Sequence, residues 1–388
     1  MKTISIQILV TFIVLEMLSF LGTKFNLFLV NDTPGIYRDQ GRMYLKDIQI
    51  RTENMPWGAW RLPNAESRQI SNCYDVKFKT NEVGARDDSF IKNNISDIIL
   101  LGDSFAEGLG VSHEKTVQFL IETELNLNVL NFGTAGSFGP LQEYIIYEKL
   151  ASKYLHQQVI VFVLPANDFA DNERELWNTA QKRIRYRPYY SIEGDPVVPW
   201  YFPESIPTEK FGEYINFNIF KNQKTNNVIS YFFSYLNINI VISNIKLVLY
   251  DFTWSSNALR SLSYLITKKD TIIGSSYLSA TINQQNNMLS AYKKIVELAD
   301  GKPVNFIIIP YIKDILVYNE NIKNMIISQE WYKGLQSLSY NSGGVFIDLL
   351  DFLPDNVFSI FHSCDTHWSD KGNSWAAEII TKALRKIN

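Results

Sequence analysis

The sequence predicts an α/β fold built around a central parallel sheet. From residue 98 onward, short apolar runs alternate with longer stretches of helical character, and the first run, Ile98 to Leu101, leads directly into Gly102. A strand that is apolar throughout is typical of a sheet covered by helices on both faces. Strands separated by helices form right-handed βαβ units, which place the strands parallel in one sheet.

The predicted elements follow one another in order, with one long interruption. The strands are expected at 98–101, 128–131, 159–164, 304–309 and 345–349, and the helices at about 113–124, 140–154, 282–298, 321–338 and 369–385. The alternation stops after Asp171 and resumes near Ile282, which indicates a large insertion after the third strand, at about 175–280.

Two segments of this insertion have a distinct character. Residues 183–207 are rich in Tyr, Pro and Arg, which predicts a turn-rich excursion or a hairpin. Residues 227–252 are apolar but interrupted by Asn and Lys, which predicts an amphipathic helix on the domain or on a membrane surface, with packing on the domain favoured.

The chain begins with an apolar segment, residues 4–21, of about the length that spans a bilayer as a helix. Its length and the poor cleavage site at residues 19–22 favour a retained signal anchor over a cleaved signal peptide, and an ordinary buried helix is disfavoured. We therefore expect a domain exported to the periplasmic or extracellular face and anchored in the inner membrane; secretion after cleavage is the alternative.

These patterns predict three regions of the chain. They are an anchor at 1–25, an N-terminal extension of irregular chain and small strands at 26–92, with one strand at 75–80, and the main domain with its insertion at 93–388. Outside the cytosol two thiols usually pair, so Cys73 and Cys364 are a candidate disulfide that would tie the extension to the C-terminal part of the domain. Two unrelated buried thiols remain the alternative.

The composition disfavours several classes of function. With 37 Lys and Arg against 40 Asp and Glu, the net charge of −3 argues against nucleic acid as a partner. The chain has only four His and two Cys, which leaves almost no ligands for a structural zinc site or for a mechanism that needs several His ligands. We therefore expect no metal and no cofactor. The aromatic content of 14% is compatible with a protein that contacts carbohydrate or lies near a membrane.

A nucleophile and a base are suggested by two separate segments. Ser104 follows the first strand, where open α/β sheets place their sites and where an opening helix offers backbone N–H groups. Asp365 precedes His367 by two residues, so its carboxylate can accept the Nδ1 proton and leave Nε2 to face a serine. His362 is the local competitor, but no acid stands two residues before it.

Two further segments offer donors for a negatively charged oxygen. Gly136 follows the second strand and Asn167 follows the third. A glycine N–H, an asparagine amide and the N–H of Ser104 would together supply three such donors. Each segment alone is equally typical of a tight turn.

The order of these four segments resembles the SGNH/GDSL hydrolase superfamily. The blocks are GDSF with Ser104, NFGTAG with Gly136, PAND with Asn167, and Asp365 with His367 near the C-terminus. The resemblance implies a three-layer, flavodoxin-like domain. It also implies Ser104 as nucleophile, His367 as base, Asp365 as its orienting acid, and Gly136 and Asn167 as oxyanion donors.

Two departures from the family pattern are informative. Pro165 stands where the third block usually has Gly, and the last block is Asp-x-His followed by Trp368, whereas Asp-x-x-His is usual. The shorter last block resembles the alginate O-acetyltransferase branch, whose members are exported and act on polysaccharide. Residues 80–87 also look like extensions of membrane-attached members of the superfamily.

These patterns favour an exported serine esterase or O-acyltransferase acting on O-acetyl groups of a cell-surface polysaccharide. Asp103, Trp368, Arg185 and Tyr186 are candidate substrate contacts, although a solvated hairpin explains Arg185 and Tyr186 equally well. One alternative is a non-catalytic polysaccharide assembly or binding protein on the same scaffold. Another is a lipase or thioesterase at the membrane, which activity on long-chain esters alone would support.

Overall fold

The structure is a computed structural model. It describes residues 49–50, 55–58, 60–71, 73–90, 97–136, 138–174, 187–191, 195, 197–201, 275–362 and 366–386. The chain divides into two compact units, Met1–Met43 with Ile206–Lys269 and Tyr44–Ser205 with Asp270–Asn388, and every described residue belongs to the second. The predicted anchor and the segment 227–252 lie outside the described residues. Among the helices that are described, none has both the length and the apolar character needed to cross a membrane.

The described strands and helices are numbered in chain order. The strands are β1 (Gln49–Ile50), β2 (Trp60–Arg61), β3 (Glu66–Ser71), β4 (Tyr74–Lys79), β5 (Ile98–Leu101), β6 (Val129–Asn131), β7 (Gln158–Val163), β8 (Pro188–Tyr189), β9 (Trp200–Tyr201), β10 (Val304–Ile308) and β11 (Phe346–Asp348). The helices are α1 (Ser104–Glu107), α2 (Val117–Leu125), α3 (Pro140–Lys149), α4 (Ile282–Leu298), α5 (Ile312–Val317), α6 (Glu320–Ser328), α7 (Glu330–Asn341) and α8 (Asp370–Leu384).

The centre of the fold is a five-stranded parallel sheet in the order β6-β5-β7-β10-β11. This confirms the predicted α/β class and parallel sheet. The chain runs from β5 outward to β6 and then returns to pair β7 on the other side of β5, so the strand order reverses there. In open α/β sheets such a reversal separates the loops at the carboxyl ends of the two strands and opens a crevice for a ligand.

Helices cover both faces of the sheet. Every residue of β5, β7 and β10 is buried, which requires packing on both sides. In one group of helices α8 packs against α2, and in the other α4 packs against α3 and α7. A hydrogen bond joins α2 to α8. The N–H of Val117, in the first turn of α2, donates to Oδ1 of Asn373 on α8 at 2.9 Å.

Three of the predicted helices differ from the observed ones by more than one residue at an end. The helix expected at 113–124 begins with a 3₁₀ turn, His113–Lys115, because Thr116 caps α2 by accepting from the N–H of Phe119. The helix expected at 140–154 ends at Lys149. The helix expected at 321–338 is two helices, because Gln329 adopts an extended backbone with ψ of 140°.

The described part of the predicted extension lies in the same compact unit as the sheet. Strands β3 and β4 form an antiparallel hairpin, and β8 pairs with β9 in a second hairpin within the insertion. The side chain of Arg61 on β2 is buried and places Nη2 2.5 Å from Oε1 of Glu107 on α1, whose side chain is also buried. Burial lowers the pKa of Arg61, and the charge of Glu107 opposes that shift.

We expect Glu107→Gln to lower the free energy of unfolding by about 3 kcal/mol or more, because a buried guanidinium would then lack its counter-charge. The midpoint of urea unfolding, followed by tryptophan fluorescence, measures the change. Glu66→Gln is the control, since Glu66 pairs with Lys79 on the exposed hairpin and should leave the midpoint nearly unchanged. Equal midpoints for the two variants would contradict the expectation.

Candidate active site

Ser104 occupies the first position of a four-residue helix that follows strand β5. Gly102 makes the turn out of the strand at φ of +147°, where a Cβ would lie 2.9 Å from side-chain atoms of Ala106 and Phe162. Asp103 caps the helix by accepting from the N–H of Phe105 at 3.0 Å. Gly108 ends it in the left-handed region, so Ser104 lies on a sharp turn at the carboxyl edge of the sheet.

The imidazole of His367 reaches Ser104 from the C-terminal part of the chain. Nε2 of His367 lies 2.8 Å from Oγ of Ser104. With the ring proton on Nδ1, Nε2 accepts the hydroxyl proton, which is the arrangement that activates a serine. Because 263 positions separate the two residues, the fold and not local sequence brings them together.

The loop that carries His367 is held on both sides. The N–H of His362 donates to the carbonyl of His367 at 2.9 Å, and Oη of Tyr311 donates to Oγ1 of Thr366 at 2.9 Å. The His367 ring also lies 5.1 Å from the ring of Phe105, centre to centre. Asp365 lies outside the described residues, so its role as the orienting acid stays a prediction.

Asn167 stands in the turn after β7, on the other side of the strand-order reversal. Its Nδ2 donates to Oδ2 of Asp103 at 3.1 Å, and because an amide nitrogen carries two hydrogens, one remains for a reacting oxygen. The same Asp103 caps the helix that begins at Ser104. One carboxylate therefore fixes the serine turn and the amide relative to each other.

Gly136 follows β6 and has φ of +107°, a conformation that favours glycine. A Cβ at this position would meet no atom within 4 Å, so the glycine borders open space. Gly133 in the same loop touches α1, since a Cβ there would lie 2.6 Å from the N of Glu107. The glycine loop therefore lies at the carboxyl edge of the sheet that Ser104 occupies.

Two of the predicted substrate contacts are buried beside Ser104. Trp368 and Asp103 are each only 2% exposed. The Trp368 ring packs against the rings of Phe105 and Phe162, and the Asp103 carboxylate is used by the turn and by Asn167. Both side chains therefore support the site from the interior, and their role as substrate contacts stays a prediction.

The other two predicted substrate contacts, Arg185 and Tyr186, lie outside the described residues. Cys73, at the turn between β3 and β4, is disulfide-bonded. The only other cysteine of the chain, Cys364, is outside the described residues, so the predicted pairing stays a prediction.

Buried carboxyl groups surround the turn that carries Asn167. Oδ2 of Asp168 accepts from the N–H of Leu164 at 2.7 Å and from Oη of Tyr292 at 3.2 Å, which closes the turn. Burial raises the pKa of Asp168 well above its ordinary value, and repulsion from Asp103 and Asp171 adds to the shift. Burial also raises the pKa of Asp103, opposed by hydrogen bonds from Phe105 and Asn167.

These supporting residues were not predicted from the sequence. Asp168 was visible as part of the PAND block, and Tyr311 stands three positions after β10, at the same carboxyl edge. Their partners, Tyr292 and Thr366, are distant in sequence, so only the fold reveals the contacts. Among the described residues, no group of three or more His, Cys, Asp or Glu side chains is arranged to hold a metal ion.

No family model and no curated protein matches the chain. Among solved structures, it is similar to a lipolytic protein of the G-D-S-L family from Veillonella parvula, at 12% identity and a TM-score of 0.35, over 75% of this chain and 99% of that one. A lipase/acylhydrolase from Enterococcus faecalis matches at 11% identity and a TM-score of 0.34, over 75% of this chain and 96% of that one.

A further lipolytic protein of the G-D-S-L family, from Desulfitobacterium hafniense, matches at 13% identity and a TM-score of 0.31, over 74% of this chain and 99% of that one. At identities and TM-scores this low, only the chain's own residues can support an activity.

We expect His367→Ala to slow the reaction of Ser104 with a fluorophosphonate probe by about 10²–10⁴-fold, because the serine loses its proton acceptor. The second-order labelling rate of the full-length chain measures this. His113→Ala is the matched control, because His113 lies on the 3₁₀ turn before α2 and its Nε2 is 3.9 Å from Oδ2 of Asp88. Equal rates for the two variants would contradict the assignment of the base.

We expect Asp103→Asn to slow the same reaction by about 10²–10³-fold, the effect of losing one oxyanion donor. The carboxylate accepts from both Phe105 and Asn167, whereas an amide has one oxygen and would turn its NH₂ toward one of the two donors. Asp88→Asn, at an exposed carboxylate, is the control. An unchanged rate in Asp103→Asn would show that the carboxylate does not orient Asn167.

Proposed function

We propose that the chain is a serine esterase of the SGNH/GDSL type that works through an acyl-enzyme on Ser104. The observation that carries the proposal is the 2.8 Å approach of His367 Nε2 to Ser104 Oγ, at the carboxyl edge of the sheet where its strand order reverses. The order of the four motifs along the chain supports the same assignment.

Acylation follows from this arrangement. His367 takes the hydroxyl proton while Ser104 Oγ attacks the ester carbonyl, and it then gives the proton to the departing alcohol. The negative charge on the carbonyl oxygen is stabilised by the N–H groups of Ser104 and Gly136 and by the second hydrogen of Asn167 Nδ2. Asp365 holds the Nδ1 proton of His367 in this proposal.

In the second half of the reaction, an acceptor hydroxyl attacks the acyl-enzyme. Water as acceptor gives hydrolysis, and a sugar hydroxyl gives acyl transfer, depending on which acceptor binds and whether water is excluded. We propose an O-acetyl group on a cell-surface polysaccharide as the substrate. The predicted export and anchoring of the chain and the Asp-x-His-Trp form of the last block support this choice.

We expect the full-length chain to release the chromophore from a chromogenic acetyl ester. Ser104→Ala should lower the rate of release at least about 10³-fold, because no nucleophile remains. Ser374→Ala, on the exposed side of α8, is the control. Adding an acetyl-accepting oligosaccharide tests transfer, since acetylated product at the expense of acetate identifies a transferase.

Three outcomes would change the proposal. Release that does not depend on Ser104 contradicts the serine mechanism. Cleavage of long-chain esters with none of acetyl esters replaces the polysaccharide substrate with a lipid or thioester. Oligosaccharide binding without any Ser104-dependent turnover or fluorophosphonate labelling indicates a binding protein on this scaffold.

A further inference from the structure

The segment Thr80 to Asp87 precedes the nucleophile motif in the sequence, and the site described above does not account for it. In the structure, Asn81 organises this segment as a tight turn. Its Oδ1 accepts from the N–H groups of Val83 and Ala85 at 3.1 and 3.0 Å, and its Nδ2 donates to the carbonyl of Asp88 at 2.9 Å. An asparagine that bonds its own backbone in this way replaces the hydrogen bonds of a regular element.

Gly84 allows this turn to lie directly against β2. Its φ is +86°, and a Cβ there would stand 2.3 Å from the carbonyl oxygen of Arg61. Any other side chain would push the turn away from the strand. The end of the turn is also fixed, because Oδ2 of Asp87 accepts from the N–H of Asn131 at the end of β6 at 2.8 Å.

Arg86 leaves this turn and reaches the backbone that follows α1. Its Nη1 donates to the carbonyl of Glu107 at 3.0 Å and also to that of Gly108, and its Nη2 donates to the carbonyl of Val111 at 2.5 Å. The side chain is 2% exposed and its guanidinium lies 5.0 Å from the centre of the Phe78 ring. Three carbonyls are thus bound by one planar fork of donors, which lysine does not have.

The carbonyl of Glu107 belongs to the last turn of α1, and those of Gly108 and Val111 lie in the chain that directly follows the helix. The last carbonyls of any helix lack intrahelical donors, and four residues are too few for a helix to be stable alone. Asn131 supplies a further donor, from Nδ2 to the carbonyl of Ala106 at 2.8 Å. Gln69 on the β3–β4 hairpin accepts from the N–H of Gly110 at 2.9 Å.

We propose that Arg86 is a positioning residue for Ser104. It holds the nucleophile turn at the C-terminal end of α1 through the backbone carbonyls of Glu107, Gly108 and Val111. This inference rests on the proposed function, since it assumes that Ser104 is the nucleophile. Burial lowers the pKa of Arg86 to about 10, against the opposing charge of Glu107, so the side chain remains charged near neutral pH. Without it, α1 can tilt and Ser104 Oγ moves away from His367 Nε2.

The test uses Arg86→Ala and Arg86→Lys in the full-length chain. We expect Arg86→Ala to lower kcat on the acetyl ester and the fluorophosphonate labelling rate by about 10²-fold, as for a nucleophile misplaced by about 1 Å. KM should change by less than about threefold, because Arg86 does not touch substrate. Arg86→Lys should fall in between, since an ammonium can bind only part of the carbonyl set.

Added methylguanidinium, below concentrations that unfold the chain, should restore much of the rate of Arg86→Ala and none of that of Arg86→Lys, whose side chain fills the space. Arg68→Ala is the matched control, because Arg68 lies on the same extension in an exposed pair with Asp75. Arg68→Ala should leave kcat and KM unchanged, and added methylguanidinium should not alter its rate.

A folded Arg86→Ala or Arg86→Lys variant with a lower unfolding temperature but a wild-type labelling rate would overturn the proposal, because Arg86 would then be only structural. If Arg86→Ala does not fold, the rates of Arg86→Lys and Arg86→Gln decide in the same way. A wild-type chain that does not react with fluorophosphonate overturns the proposed function itself. If instead the wild-type chain reacts and the Arg86 variants react at the same rate, only the role of Arg86 is overturned.

Discussion

The helix that carries Ser104 has four residues and cannot hold its own position. Its start is capped by Asp103, and its end is bound by side chains from other elements, Arg86 above all. The Arg61–Glu107 ion pair fixes the same helix from β2. Buried ion pairs cost desolvation and contribute little net stability, so their physical effect here is to define one position for the turn. The polar interior around α1 is therefore part of what the site needs.

The parallel sheet supplies the remaining geometry. Ser104 follows β5, Gly136 follows β6 and Asn167 follows β7, and these three strands are neighbours in the sheet. Because parallel strands end at the same edge, three loops distant in sequence meet there, and the hydrogen bond from Asn167 to Asp103 joins two of them. The fourth part, His367, comes from the loop before α8, and Tyr311 after β10 supports that loop. The loops that follow β6, β5, β7 and β10 therefore all lie at the edge where Ser104 and His367 meet.

The strands were predictable because fully buried runs of apolar residues have few other interpretations. β5 was predicted without error and the other sheet strands to within one or two residues. The break at Gln329 was missed, since neither Gly nor Pro stands there to indicate it. The direction of the Trp368 side chain was not predictable either, because it depends on packing against Phe105. The roles of Arg61 and Arg86 depend on contacts with residues more than twenty positions away, which no local pattern contains.

The contact between Val117 and Asn373 joins helices that are 256 positions apart, and α8 completes the packing beside α2. During synthesis, the sheet strands β5, β6 and β7 emerge long before α8, and contacts of such sequence separation form late in folding. A nascent chain would contain Ser104 with its supporting turn but no His367 beside it. Reactivity would therefore begin only when the last helix has docked, which protects esters along the route of synthesis from an unfinished chain.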